Sequence, residues 1–132
     1  MSAAVDIAEI IEAEGFGTLW ATTGWSVQVA QEPHNPNTCI TVYDTQGSQP
    51  HYFTEWERPS VQVRVRGEPG AGYTDAMDKA QNIKRFFAYG EAVSINGSDY
   101  LCWVESEVAW LKHDENNRPI FAFNLRLLRS DS

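Results

Sequence analysis

Hydrophobic positions along this chain repeat with two different periods. Between residues 3 and 14, Ala4, Ile7, Ala8 and Ile11 recur at i, i+3, i+4 and i+7, with Asp6, Glu9 and Glu12 among the polar positions. That spacing predicts an amphipathic helix, ended by Gly15 and Gly17. The period then drops to two: Trp25, Val27 and Val29 alternate with Ser26, Gln28 and Ala30 until Pro33 and Pro36 break the run. "TCITVYD" is a second β-branched stretch. Residues 44–59, "DTQGSQPHYFTEWERP", show no clear period and read as a long loop or hairpin arm, with Tyr52, Phe53 and Trp56 arguing against simple disorder.

The second half repeats the scheme. "SVQVRVRG" sets Val61, Val63 and Val65 on a core face, with Gln62, Arg64 and Arg66 on a wet one. From about Thr74 to Tyr89 a helical stripe of Ala76, Ala80, Ile83 and Phe87 lies opposite Asp78, Lys79 and Arg85, and Gly90 occupies a favoured capping position. Asn96-Gly97 signals a tight hairpin, followed by one long strand. "DENNRP" makes a turn, and the last strand alternates Phe121, Phe123, Leu125 and Leu127 with Ala122, Asn124 and Arg126 before residues 130–132 fray. The order is helix, three strands, helix, three strands. It predicts a single α+β domain over residues 1–132: a mostly antiparallel sheet of about five to six strands with two helices packed on one face.

Between the Arg64 strand and the second helix, "RVRGEPGAGYT" copies the glycine spacing of a phosphate-binding loop. Tyr73 stands where that loop needs its lysine, Glu68 adds a negative charge, and Pro69 removes a backbone N–H donor. The expected role is a sharp strand-to-helix turn. A degenerate nucleotide-binding protein is the enzyme-class alternative.

Composition narrows the choice further. Ten basic against eighteen acidic residues give a formal charge of −8, which repels nucleic acid and anionic membranes, although an acidic surface can let DNA pass without holding it. Five Trp, five Tyr and six Phe exceed what one core of this size needs, so some are expected at a contact surface. Cys39 and Cys102 lack metal or disulfide spacing and are expected to be buried free thiols. The opening residues carry no basic leader and no apolar run approaches the ~18 residues of a membrane span, so a soluble cytoplasmic protein is expected. His34, His51 and His113 lie in separate turns, and Asn96-Gly97-Ser98 is a hairpin rather than a glycosylation site. No catalytic residue, metal or cofactor is assigned.

Arg64, Arg66 and Arg126 project from polar strand faces, while Glu105 and Glu107 share a parity on the long strand between. They form either modest cross-strand pairs or a charged flank meeting its complement on an identical neighbour. Tyr52, Phe53 and Trp56 in the arm complete the candidate interface residues. A small module binding a ligand or peptide with this aromatic arm is the remaining alternative.

Taken in order, "EPHNPN", "VYDTQGSQP", "VQVRVRG" with its Tyr73-led helix, "ING" and "DENNRPIFAFNLRL" resemble the minor capsid or tail-terminator family of tailed bacteriophages over nearly the whole chain. The resemblance implies a structural subunit without enzymatic activity that forms a ring, usually of six copies, at the head-proximal end of the tail. There it ends tube growth and offers the head-tail joining surface. Implied partners are further copies of itself, the tail tube protein and a head completion or connector protein, with DNA passing through the lumen and no membrane involved. The implied location is the virion, after assembly in the host cytoplasm.

Overall fold

In the computed structural model, which describes residues 2–48, 58–89 and 92–131, the chain builds one eight-stranded sheet backed by two helices. Helix α1 (Ala3–Ala13) starts where the Ser2 hydroxyl accepts the Val5 N–H. The Asp44 carboxylate, reaching over from the sheet, accepts the Ala4 N–H at 2.9 Å. Ala4, Ile7, Ala8 and Ile11 are fully buried, as their spacing requires, and each isoleucine contributes roughly 1.5–3 kcal/mol of burial. Asp6 departs from the expected polar face. It is completely buried, accepting the Tyr100 hydroxyl on one oxygen and the Asn96 amide at 2.8 Å on the other.

Strands β1 (Thr18–Leu19), β2 (Ser26–Val29), β3 (Cys39–Ser48) and β4 (Arg58–Arg66) follow. The first two pairings, β1 with β2 and β2 with β3, are parallel, and β3 and β4 pair antiparallel out to Ser48 and Arg58. Helix α2 (Tyr73–Tyr89) leads to β5 (Val93–Ile95), β6 (Ser98–Val104), β7 (Ala109–His113) and β8 (Pro119–Asp131). The sheet order is β1-β2-β3-β4-β8-β6-β5, with β7 also on β8. The mostly antiparallel α+β domain is therefore present, with eight strands instead of five or six. Both helices feed one core, but α1 lies over β1–β4 and α2 over β4, β6 and β8.

Two strands were hidden in the sequence for different reasons. β1 is only two residues long, too short to show a period. β6 and β7 lie one after the other along the edge of β8 opposite β4, in line with the single long strand expected. They are separated because four residues, 105–108, face only Phe123 and Asn124 on β8. The bulge is held where the Glu105 N–H donates to Asn124 O at 2.9 Å and the Asn124 N–H donates to the Ser106 hydroxyl at 3.1 Å. β8 also continues to Asp131, where fraying was expected, because β6 pairs with it as far as Ser98.

Turn chemistry follows the residues. Asn96 and Gly97 both have positive φ, 52° and 79°, the conformation of a type I′ hairpin joining β5 to β6. In the 114–119 turn, the Asp114 carboxylate accepts the N–H groups of Asn116 and Arg118, and Asn117 supplies a positive φ of 60°. Gly90, the expected cap of α2, lies outside the described residues.

Candidate functional site

The glycine loop before α2 is closed upon itself. A Cβ on Gly72 would stand 2.3 Å from the Glu68 N, and one on Gly67 would stand 2.6 Å from the Gly72 O. The donors that would cradle a phosphate are directed to protein carbonyls: Gly67 N–H to Pro119 O, Gly70 N–H to Asn117 O, Ala71 N–H to Pro69 O. The glycines let two backbone segments touch, and the loop serves as the strand-to-helix turn. An open depression of about 470 Å³ beside it is lined by Glu68, Asp75, Asp78 and Lys79 among others. Its acidic rim is the wrong charge for a nucleotide phosphate. Lys79 donates to Phe16 O at 3.0 Å and lies over the Trp25 ring, and burial lowers its pKa.

The strand arginines have separate duties. Arg66 is 3% exposed, in place of the wet position its alternation suggested. Its guanidinium donates to the carbonyls of Pro33, Pro36 and Asn37, binding the 30–38 segment over the outer face of β2 and β3. That cover also buries Ser26, Gln28, Cys39 and Thr41, so the outer face is dry at this end. Arg64 pairs with Glu32 of the same segment at 2.9 Å and lies over the Tyr43 ring. Burial, and then Glu32, push the Tyr43 phenol up to about 12.

Arg118, likewise buried, donates to His34 O and to Asp114, joining the 114–119 turn to the same brace. Burial works against the ionised Asp114 carboxyl, but the N–H groups of Arg118 and Asn116 and the Arg118 guanidinium outweigh it and hold the pKa below its ordinary 3.8. A depressed folded-state pKa stabilises the fold above the unfolded value, and the contribution drains away as pH falls through the folded one. The urea midpoint should accordingly fall more steeply below about pH 4 in the wild type than in Asp114→Asn. Equal acid limbs in the two proteins would show that Asp114 adds nothing.

Arg126 and Glu105 do come together, at 2.6 Å, with both side chains about two-fifths exposed on the outer face. Glu107 does not join them. The bulge breaks the parity of the strand and turns Glu107 to the opposite face, where it pairs with Lys84 of α2. Of the eight candidate interface residues, Arg126 and Glu105 thus form an accessible pair, and Arg64 and Arg66 brace a loop. Tyr52, Phe53 and Trp56 lie outside the described residues.

Other aromatics occupy the accessible surface. On β6, Leu101 and Trp103 face outward while Tyr100, Cys102 and Val104 face the core, so both faces of this strand are apolar. Trp103, Leu127 and Leu128 line a cleft of about 270 Å³ together with Arg58 and Arg126. On β7, Trp110 and Leu111 are exposed, and Trp110 is paired opposite Phe121, whose ring Tyr73 meets edge-on. At the far end of the sheet, Trp20 follows β1 and is 54% exposed. Its φ of 56° is held as its N–H donates to Val27 O at 2.9 Å. The sequence signal for these residues was available in the unbroken apolar character of "YLCWV", where a half-wet strand would alternate.

Both cysteines are free thiols, Cys39 buried and Cys102 partly so. Burial raises both, Cys102 to about 12, which makes each a poor nucleophile. Among the described residues no group of three or more His, Cys, Asp or Glu is placed to hold a metal ion, and no helix is long and apolar enough to cross a membrane.

Residues 10–130 match the family model described as bacteriophage tail terminator protein. No curated protein matches the chain. A solved structure with 14% sequence identity is similar over 80% of this chain and 79% of its own, with a TM-score of 0.53, a likeness of fold.

Proposed function

The chain belongs to the bacteriophage tail terminator protein family, and on that premise we propose that it is the subunit of a ring that closes the head-proximal end of the tail, stops tube growth and presents the surface on which the head docks. The chain is a structural protein of the phage tail. The family match over residues 10–130, which takes in all of the sheet but the last residue of β8, carries this reading. A closed ring needs two different surfaces on each subunit, and accessible tryptophans stand far apart on this sheet, Trp20 beyond the end strand β1 and Trp103 on β6, the strand next to the other end. The partners on this reading are further copies of the chain, six in the closed ring, the tail tube protein and a head completion or connector protein. The net charge of −8 suits a lumen through which DNA moves without sticking.

The test is addition of the purified protein to polymerising tail tube protein of the same phage, with tube lengths and ends imaged by electron microscopy. Tubes that stop growing with a ring at one end are the expected result. Tubes of unchanged length with bare ends would overturn the reading.

A further inference from the structure

Resting on the ring reading above, we propose that neighbouring subunits join head to tail through one contact: Trp20, at the β1 end of one copy, seats in the Trp103 cleft on the outer face of the next. Three observations converge on this pairing. The first is size. At about 270 Å³ the cleft is smaller than the ~300–1,000 Å³ of sites that enclose a small molecule, and it has room for a single large aromatic side chain. Trp20 is such a side chain, the most exposed of the large hydrophobic residues in the described structure. It is carried on a backbone conformation that a bulky residue seldom adopts, fixed by the Val27 carbonyl.

Charge gives the second argument. Trp20 leaves the β1 turn directly beside the C-terminal end of α1, where Glu12 accepts the Leu19 N–H at 2.8 Å and Glu14 is exposed. The last turn of α1 carries no basic residue, so two carboxylates sit at the negative end of the helix dipole without a compensating cation on the helix. The cleft carries the complement. Arg126 and Arg58 line it; Arg126 is already paired with Glu105, while Arg58 has no carboxylate partner among the described residues and supplies the free positive charge. An acidic rim around a tryptophan therefore meets an apolar cleft edged by one uncompensated guanidinium, a charge match that favours this partner and this orientation.

Topology supplies the third. β1 ends one side of the sheet, and the cleft lies across β4, β8 and β6, three to five strands away. The two surfaces cannot meet within one subunit, and they differ from one another. Such a contact repeats from copy to copy and closes into a ring when the rotation allows. The apolar residues beside the cleft, Leu101 foremost, widen the seat around the indole.

Two variants test this on the full chain. Trp20→Glu alters only the projecting side, and Trp103→Glu only the cleft; both positions are exposed, and near-ultraviolet circular dichroism checks that each subunit stays folded. In sedimentation over a wide concentration range, with tube ends added where the free protein does not assemble, wild type is expected to form the ring and each variant alone to associate at least tenfold more weakly. A one-to-one mixture of the variants should give a discrete dimer, because each retains the surface that the other lacks. Trp103→Ser provides a milder cleft variant with the same expectation. Rings formed by either variant as readily as by wild type, or a mixture that stays monomeric while wild type assembles, would overturn the contact and leave the cleft to another partner such as the tube protein. Wild type that never assembles, even on tube ends, would overturn the ring reading and this contact with it.

Discussion

Asp6→Ala is expected to cost the subunit about 3 kcal/mol of stability, read as a lower urea midpoint with an unchanged slope, and to lower the melting temperature by roughly 10 °C. The carboxylate is wholly buried beneath α1 and serves two donors from the far end of the sheet, the Tyr100 hydroxyl and the Asn96 amide, while the Arg129 guanidinium stands 3.4 Å from the Tyr100 oxygen. Alanine removes the acceptor and leaves the buried Tyr100 phenol without it, and such an orphaned donor costs more than the lost bond alone. Burial and the bond to Asp6 hold the Tyr100 phenol well above its ordinary value, so it remains a donor throughout the useful pH range. Asp6→Asn keeps one carbonyl oxygen for the phenol and should lose about half as much. A loss below about 1 kcal/mol for the alanine variant would show that water replaces the carboxylate and that the network is dispensable.

Arg66→Ala should have a comparable effect, about 3 kcal/mol, but with a local signature. Three backbone carbonyls in the 30–38 segment accept from this one guanidinium, and the planar fork reaches all three at once. Without it the carbonyls of Pro33, Pro36 and Asn37 lose a charged donor, each such bond being worth ~1.5–3 kcal/mol before the segment relaxes. Cys39 is the cross-strand neighbour of Arg66 and is 1% exposed under the same cover. Its thiol should react with an alkylating reagent at least tenfold faster in the variant, well before global unfolding. Arg66→Lys should restore little, because a single ammonium cannot serve three carbonyls in different directions. Unchanged Cys39 labelling would mean that Arg64 and Arg118 hold the segment by themselves.

The apolar periods determined much of the architecture. A stripe such as Ala76, Ala80, Ile83 and Phe87 can bury itself only as a helix, and alternating Val61, Val63 and Val65 only as a strand with one covered face. Asn96-Gly97 specified its hairpin locally, since both residues tolerate the positive φ that the turn demands. The order of the segments "VQVRVRG", "ING" and "DENNRPIFAFN" carried the likeness to tail terminators, which the family match bears out.

What sits against the second face of a strand was settled only in three dimensions. Arg66 and Arg64 alternate as solvent-facing residues do, yet they are covered by a proline-rich segment some thirty residues earlier in the chain, and no local period records so distant a contact. Asp6 reads as a surface acid until the β5–β6 hairpin brings Asn96 and Tyr100 against it. Glu105 and Glu107 share a parity on paper, and a bulge whose register depends on β8 sends them to opposite faces. The cleft is assembled from β4, β6 and β8, and Trp20 becomes a projecting edge only once β1 pairs at the far end of the sheet. Local sequence thus determined which residues leave water, through periodicity and turn chemistry, while tertiary packing decided which polar groups follow them and which aromatics remain outside.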